Sequence, residues 1–320
     1  MFFYLGFYMK KIFSLFFCIF LCFCCFFWLF ACNNKSVNND IVINPKTRSI
    51  KVGYIEYAPL NYMYKGKFTG YNTKLAVSVF NTLGYNVEFV LVEPEDENRS
   101  VVNESDVYYA LENNEIDCFW GAISDAVIND HDKFDFSYNY MENSPCIVIK
   151  NGQNHINSLE DFKTKTIAFA KFSSGELFYN AFLSNVQGIN FISCEKGQNS
   201  ALHKTNSFFK DVNCAIVDTI FAYYYLEKTE EYCFLTLNST NKNPCFKMEQ
   251  KNYLRVVFKK SQTEQNQLRD NVNKTLEFFA GVQQTIENEK LSLLELPAIN
   301  TKFKNADLKD FLITDFSNQK

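Results

Sequence analysis

The sequence predicts an α/β protein organised as two similar halves, and three observations carry that prediction. β-rich runs alternate with amphipathic stretches, the pattern of strand–helix–strand units and mostly parallel sheets. The alternation runs through once and then starts again, each set spanning about a hundred residues, an ordinary size for one lobe. Finally, 11 Gly and 6 Pro in 320 residues, with 47% hydrophobic side chains, exclude a disordered or collagenous chain.

The first set opens with residues 49–53 (SIKVG), a short β-rich run, followed by the turn-like Tyr57-Ala58-Pro59-Leu60. Residues 73–83 place Leu75, Ala76, Val79, Phe80 and Leu83 on one stripe of an amphipathic helix. Gly84 stops it, and residues 86–92 return as a strand. Residues 107–111 suggest a helix, and the apolar run 116–123 reads as a buried strand. In the second set, 166–170 is a strand, 175–183 a helix, 190–193 a strand, 199–209 a helix and 214–217 a strand. Residues 220–226 then look helical, 253–258 strand-like, and 265–279 forms a long amphipathic helix.

Residues 1–31 stand apart, with 11 of the 34 Phe, 4 of the 11 Cys, Lys10, Lys11 and no acidic residue. Two lysines ahead of an apolar run at 12–30, broken only by Ser14, describe a signal peptide or a membrane anchor. Met9 makes a more natural start than Met1. The run's 19 residues are close to the ~20 of a membrane span, so length leaves a retained anchor open. The ending, Leu29-Phe30-Ala31-Cys32, resembles the lipobox of bacterial lipoproteins, where a small residue precedes the Cys that receives a diacylglyceride. That resemblance makes 1–31 a lipoprotein signal peptide and Cys32 the lipidated (palmitate-bearing) residue. The remaining chain is then extracytoplasmic and anchored to the cell membrane. Residues 32–48, polar and rich in Asn, form a flexible tether.

The net charge is −4; with the two lysines of the export segment set aside, 30 basic residues face 36 acidic ones, a net of −6. No basic footprint marks a nucleic-acid partner. Beyond Cys32 lie Cys118, Cys146, Cys194, Cys214, Cys233 and Cys245. Cys118 and Cys214 sit in apolar runs as small buried hydrophobes, and Cys233–Cys245 is the one pair considered for a disulfide. Beyond Cys32 no CxxC occurs, and His131, His155 and His203 lack ligand spacing, so no metal site is expected.

Eight phrases in order resemble the family 3 extracellular solute-binding proteins, the amino-acid-binding receptors of ABC importers. They are Ile50-Lys-Val-Gly53, Tyr57-Ala-Pro59, Phe68-Thr-Gly-Tyr-Asn-Thr-Lys-Leu-Ala76, Leu111-Glu-Asn-Asn-Glu-Ile-Asp117, Lys133-Phe-Asp-Phe-Ser137, Ser158-Leu-Glu-Asp-Phe-Lys163, Val212-Asn-Cys-Ala-Ile-Val-Asp218 and Tyr223-Tyr-Tyr-Leu226. The pattern covers roughly residues 49–290. The resemblance implies a two-lobe periplasmic-binding-protein type II fold with a hinge of two crossover strands. The crossings fall near 141–145 and 247–253. One lobe is then 49–141 plus 253–320, the other 146–246, with a short polar tail packing back on the first. It further implies a monomeric receptor without cofactor or catalytic residues, delivering a small solute to an ABC transporter permease.

The implied pocket takes an aromatic ring from Tyr57, with Glu56 beside it, hydroxyls from Ser124, Ser173 and Ser174, and an ammonium-binding carboxylate from Asp218. An Asp after a buried strand is also a helix cap. The family's carboxylate-clamping Arg would stand at Asn129 or Asp130, yet residues 121–132 (GAISDAVINDHD) contain no Lys or Arg. Glu56, Asp125, Asp130 and Asp218 thus meet Lys171 as the nearby cation. Two ligand classes follow: an α-amino acid, basic or polar, with Lys171 replacing the Arg, or a cationic compound held by carboxylates and the rings of Tyr57, Trp120 or Phe172. An enzyme on the same fold, a prephenate (cyclohexadienyl) dehydratase with Glu56 or Glu176 as general acid, is one alternative. A sensory ligand-binding domain is another.

Overall fold

The computed structural model describes residues 48–150, 159–194, 214–226, 232–234, 251–262, 266–289, 302–303, 306–307, 311–313 and 315–319. The export segment, Cys32, the tether up to residue 47, Cys245 and the helix expected at 199–209 lie outside the described residues.

Period-two patterning builds the first sheet. In β1 (Arg48–Tyr54), Ile50 and Val52 turn inward while Lys51 faces out. The hairpin β2 (Tyr62–Tyr64) and β3 (Lys67–Thr69) follows, its turn made by Lys65 and Gly66, both at positive φ. Helix α1 (Tyr71–Thr82) buries Ala76, Val79 and Phe80 as its spacing predicts, and Gly84 ends it at φ +83°. Next come β4 (Tyr85–Leu91), α2 (Glu104–Glu112), β5 (Cys118–Phe119) and β6 (Phe134–Phe136). Chain order leaves this sheet and returns late with β14 (Val257–Lys259), giving the order β4-β1-β5-β14-β6. β4, β1 and β5 are parallel; β14 runs antiparallel to both its neighbours.

The second sheet repeats the plan. It contains β8 (Pro145–Lys150), β9 (Thr166–Ala170), β10 (Asn190–Cys194), β11 (Cys214–Asp218) and β12 (Tyr232–Phe234), in the order β10-β9-β11-β8-β12. β10, β9 and β11 are parallel, whereas β8 and β12 are added antiparallel. α3 (Ser174–Phe178) follows β9, and α4 (Thr219–Leu226) follows β11. Between the sheets runs a two-stranded ribbon, β7 (Met141–Glu142) paired antiparallel with β13 (Tyr253–Leu254). The long helix α5 (Gln267–Glu289) runs ten residues past its expected end and buries Val272 and Leu276. One apolar cluster links Ile50 and Val52 through Tyr140 and Met141 to Val217 and Phe221, so the core is continuous past the ribbon.

Two expected strands are shorter in the structure. Of the apolar run 116–123 only Cys118–Phe119 is strand, flanked by the Asp117 and Trp120 N–H groups donating to Lys51 and Gly53 carbonyls. At Gly121 the chain leaves the sheet, and a Cβ there would lie 2.0 Å from the Phe119 ring. The rest of the run is apolar because it is covered: Trp120 is core, 1% exposed, edge-on to Phe80 and close to Tyr140. It offers no face to a ligand, correcting the aromatic role considered for it. The run 253–258 divides at Arg255-Val256, because its first part pairs in the ribbon and its last in the first sheet. The helix expected at 175–183 is α only to Phe178 and continues as a π-turn. Cys233, one of the pair considered for a disulfide, is a free thiol at the edge of the second sheet's core.

Candidate functional site

A cavity of about 270 Å³ is lined by residues that follow the C-terminal ends of parallel strands from both sheets. After β1 come Ile55, Glu56 and Tyr57; after β4, residues 92–94 and 100–102; after β5, residues 122–124 and Val127. The second sheet contributes residues 170–174 after β9 and Asp218 at the end of β11. Open α/β sheets bind ligands at such strand ends, where loops diverge and backbone groups are left unpaired.

Asp218 is the buried charge of the site. The Tyr57 hydroxyl donates to Oδ2 at 2.9 Å, and the Ser174 hydroxyl donates to Oδ1. Burial, followed by the Asp218 charge, pushes the Tyr57 phenol well above its ordinary 10, so it stays a donor. The Tyr57 ring packs 6.0 Å from Phe221. At the start of α4, the Thr219 and Ile220 N–H groups go to the Ser144 carbonyl and Asn143 Oδ1. Ser144 and Asn143 thus take up cap positions that a sequence reading gives to Asp218.

The turn after β9 is fixed by its own side chains. Phe172 sits at φ +57°, a left-handed conformation that costs a non-glycine residue about 1–2 kcal/mol. Its N–H donates to Glu176 Oε2 at 2.7 Å. Glu176, considered as a general acid, thus serves the turn and is not among the residues that line the cavity. Ser173 caps α3: its hydroxyl accepts from the Gly175 and Glu176 N–H groups and donates to the Ala170 carbonyl at 2.6 Å. The Lys171 ammonium stands 5.3 Å over the Phe172 ring.

Ser124 lines the cavity and is 4% exposed, and its hydroxyl has no partner among the described residues. A buried hydroxyl left this way is costly unless something meets it. Asp125, expected beside it, is not among the lining residues. Its Oδ1 accepts the Tyr253 N–H at 2.7 Å while its own N–H donates to the Tyr253 carbonyl at 2.8 Å. Burial raises the Asp125 carboxyl, and the charge of Arg255 opposes that shift. Asp130 is also outside, ion-paired to Lys133 at 2.9 Å, and Asn129 is exposed. Arg255 does not fill the missing Arg position. Its Nη2 donates to the Ile128 carbonyl and its guanidinium lies 3.5 Å from the Phe136 ring centroid, away from the cavity.

The structure therefore brings together Glu56, Tyr57, Ser124, Lys171, Ser173, Ser174 and Asp218, and it adds residues that sequence reasoning passed over: Glu93, Ser100, Val101 and Val102. Glu93 carries no signal of its own in the sequence, since its place at the cavity follows from β4 lying beside β1.

A family model for bacterial extracellular solute-binding proteins, family 3, matches residues 50–283. The chain belongs to this family. Among solved structures, this solute-binding protein resembles a histidine-bound ABC uptake transporter substrate-binding protein from Streptococcus pneumoniae. The two are 22% identical, with TM-score 0.55 over 78% of this chain and 92% of that one. A cysteine-binding protein from Campylobacter jejuni is 15% identical, with TM-score 0.60 over 85% and 97%. An ancestral arginine-binding protein bound to arginine is 21% identical, with TM-score 0.56 over 76% and 98%. These likenesses establish the two-lobe type II periplasmic-binding-protein fold. No curated protein sequence matches the solute-binding protein significantly. Among its described residues no helix is long and apolar enough to cross a membrane, and no His, Cys, Asp and Glu group could hold a metal ion.

Proposed function

We propose that this chain is a receptor that captures a small solute, a basic or polar amino acid or a related cationic compound, between its two lobes and passes it to the permease of an ABC importer. The observation that carries the reading is Asp218, a buried carboxylate aligned by the Tyr57 and Ser174 hydroxyls and facing a cavity that both sheets line. In that cavity Asp218 receives the ligand's ammonium. The unpartnered Ser124 hydroxyl and Lys171 receive its carboxylate, in place of the clamping Arg. The lobes, 49–141 with 253–320 and 146–246, close by bending at the β7–β13 ribbon, and the captured solute stabilises the closed state by its differential affinity. Lipid at Cys32 tethers the receptor, through residues 32–48, to the extracytoplasmic face of the membrane.

The relatives named for histidine, cysteine and arginine support an amino acid as the class. Residues 33–320 titrated by calorimetry against amino acids, polyamines and betaines give the test. An α-amino acid binds, and Asp218→Ala weakens it at least tenfold, the loss of a charge-assisted hydrogen bond of about 1.5–3 kcal/mol. Binding only of solutes without a free carboxylate would sink the amino-acid reading. Mass spectrometry of the native N-terminal peptide checks the lipid on Cys32.

A further inference from the structure

The cavity has a wall that the family-like phrases do not contain: residues 93–102, of which Glu93, Pro94, Ser100, Val101 and Val102 face the space. One side chain holds this segment. Asp106, buried in the first turn of α2, accepts Arg99 Nη1 at 2.9 Å and Nη2 at 2.6 Å. It also accepts the Glu95 N–H at 3.0 Å and the Asn103 N–H at 2.8 Å. Start, middle and end of the segment thus converge on one carboxylate, two of the bonds in the bidentate form that fixes orientation as well as distance. The Asp106 N–H donates in turn to Asn103 Oδ1, completing a capping box at the head of α2.

The strand order β4-β1-β5 places Glu93, Glu56 and Ser124 past the ends of three neighbouring strands, in that sequence. Neighbouring strands lie ~4.8 Å apart, so the Glu93 strand end stands about 10 Å from the Ser124 strand end. Glu56 and Glu93 are exposed at the cavity, and neither has an ion-pair partner among the described residues. Three carboxylates, Glu56, Glu93 and Asp218, therefore line a space to which, among the described residues, Lys171 brings the single cation. With the α-carboxylate at Ser124 and Lys171 and the α-ammonium at Asp218, an unbalanced negative charge remains at the β4 end.

We propose that Glu93, on a wall held by Asp106, determines specificity by reading a positive charge at the far end of the ligand. The solute is then an α-amino acid whose long side chain ends in a guanidinium or ammonium. This rests on the amino-acid reading of the same cavity. Asp106 acts as a positioning residue and does not touch the solute.

The test uses L-arginine and L-citrulline, which share length and shape and differ in charge, titrated calorimetrically into residues 33–320. The native protein prefers arginine. Glu93→Gln weakens arginine about two- to fivefold, the range of an exposed ion pair, and leaves citrulline unchanged. Asp106→Asn lowers the arginine-to-citrulline ratio by the same factor, and the double variant lowers it no further, because one wall carries both effects. Equal loss of both ligands in Asp106→Asn overturns the positioning role. An unchanged ratio in Glu93→Gln, or a native protein that takes neutral amino acids and refuses arginine, overturns the specificity assignment while the amino-acid reading stands. Absence of binding by every amino acid overturns both. Glu93 is exposed, so its variant folds even where Asp106→Asn does not, and the assignment is decided on that variant alone.

Discussion

At Asp218 two hydroxyls converge on one buried carboxylate, and both are donors. An acceptor held this way is aimed and stays available for a cation, whereas an unbonded buried charge would be prohibitive. Removing one donor exposes that balance. Tyr57→Phe should cost about 1.5–3 kcal/mol of stability, the value of a hydrogen bond to a charged group, read by urea unfolding at neutral pH. Asp106 sets a different limit. Burial raises its carboxyl, but the bonds from Arg99, Asn103 and Glu95 outweigh that and hold it below the ordinary 3.8. A carboxyl lowered on folding contributes stability that is present above 3.8 and is lost as pH falls through the lowered value. Melting curves between pH 7 and 2 should therefore show a gap between native protein and Asp106→Asn that persists to about pH 4 and closes below it. A gap that stays constant to pH 2 contradicts the ionised Asp106 pairing.

Among the elements, those with one buried face were legible in the sequence, and those defined by partners far along the chain were not. α1 and β9 show their periodicity locally, so both were read within two residues of their ends. β5 and the 253–258 run were read too long, because apolarity reports cover from any direction while a strand needs a paired neighbour. The ribbon β7–β13 joins residues over a hundred positions apart, and its residues lack any shared local pattern. In the site, Asp218 was legible as a charge ending an apolar strand. Glu93 was not, since its role comes from strand order rather than from a phrase. Asp125 was read as a ligand residue but serves the ribbon, bonding the Tyr253 backbone on both sides. That assignment predicts an asymmetry between variants. Asp125→Ala leaves the Tyr253 N–H without its acceptor and should cost about 1–3 kcal/mol, whereas Asp125→Asn keeps Oδ1 and should cost less than half as much. Thermal unfolding of both variants gives the comparison, and similar losses would place the effect in the charge instead of the bond.

At the scale of the molecule, the described C-terminal residues, beyond the 283 at which the family match ends, cross the place where the two lobes meet. Phe316, 5% exposed, stacks on Tyr138 at 5.7 Å, and Gln319 bonds the Asn139 backbone in both directions. The Ile313 N–H donates to the Tyr140 carbonyl, and Leu312 pairs antiparallel with Met141. Met141 already pairs with Leu254, so the single bridge from Leu312 adds a further partner to the ribbon's edge at this point. Phe311 then reaches Tyr223 on α4, at 5.6 Å, the helix that follows Asp218. A segment fastened to the ribbon and to α4 resists any bending that separates them, and it does so by burying aromatic surface on both. Phe316→Ala should cost about 3 kcal/mol or more as a large-to-small change in packed surroundings, seen as a lower melting temperature. Truncation before Phe311 should do the same and also widen the ligand-free molecule, measured as a larger radius of gyration in solution scattering, because the ribbon loses that partner. Equal scattering from the truncated and full chains would mean that the segment only covers the ribbon and does not restrain it.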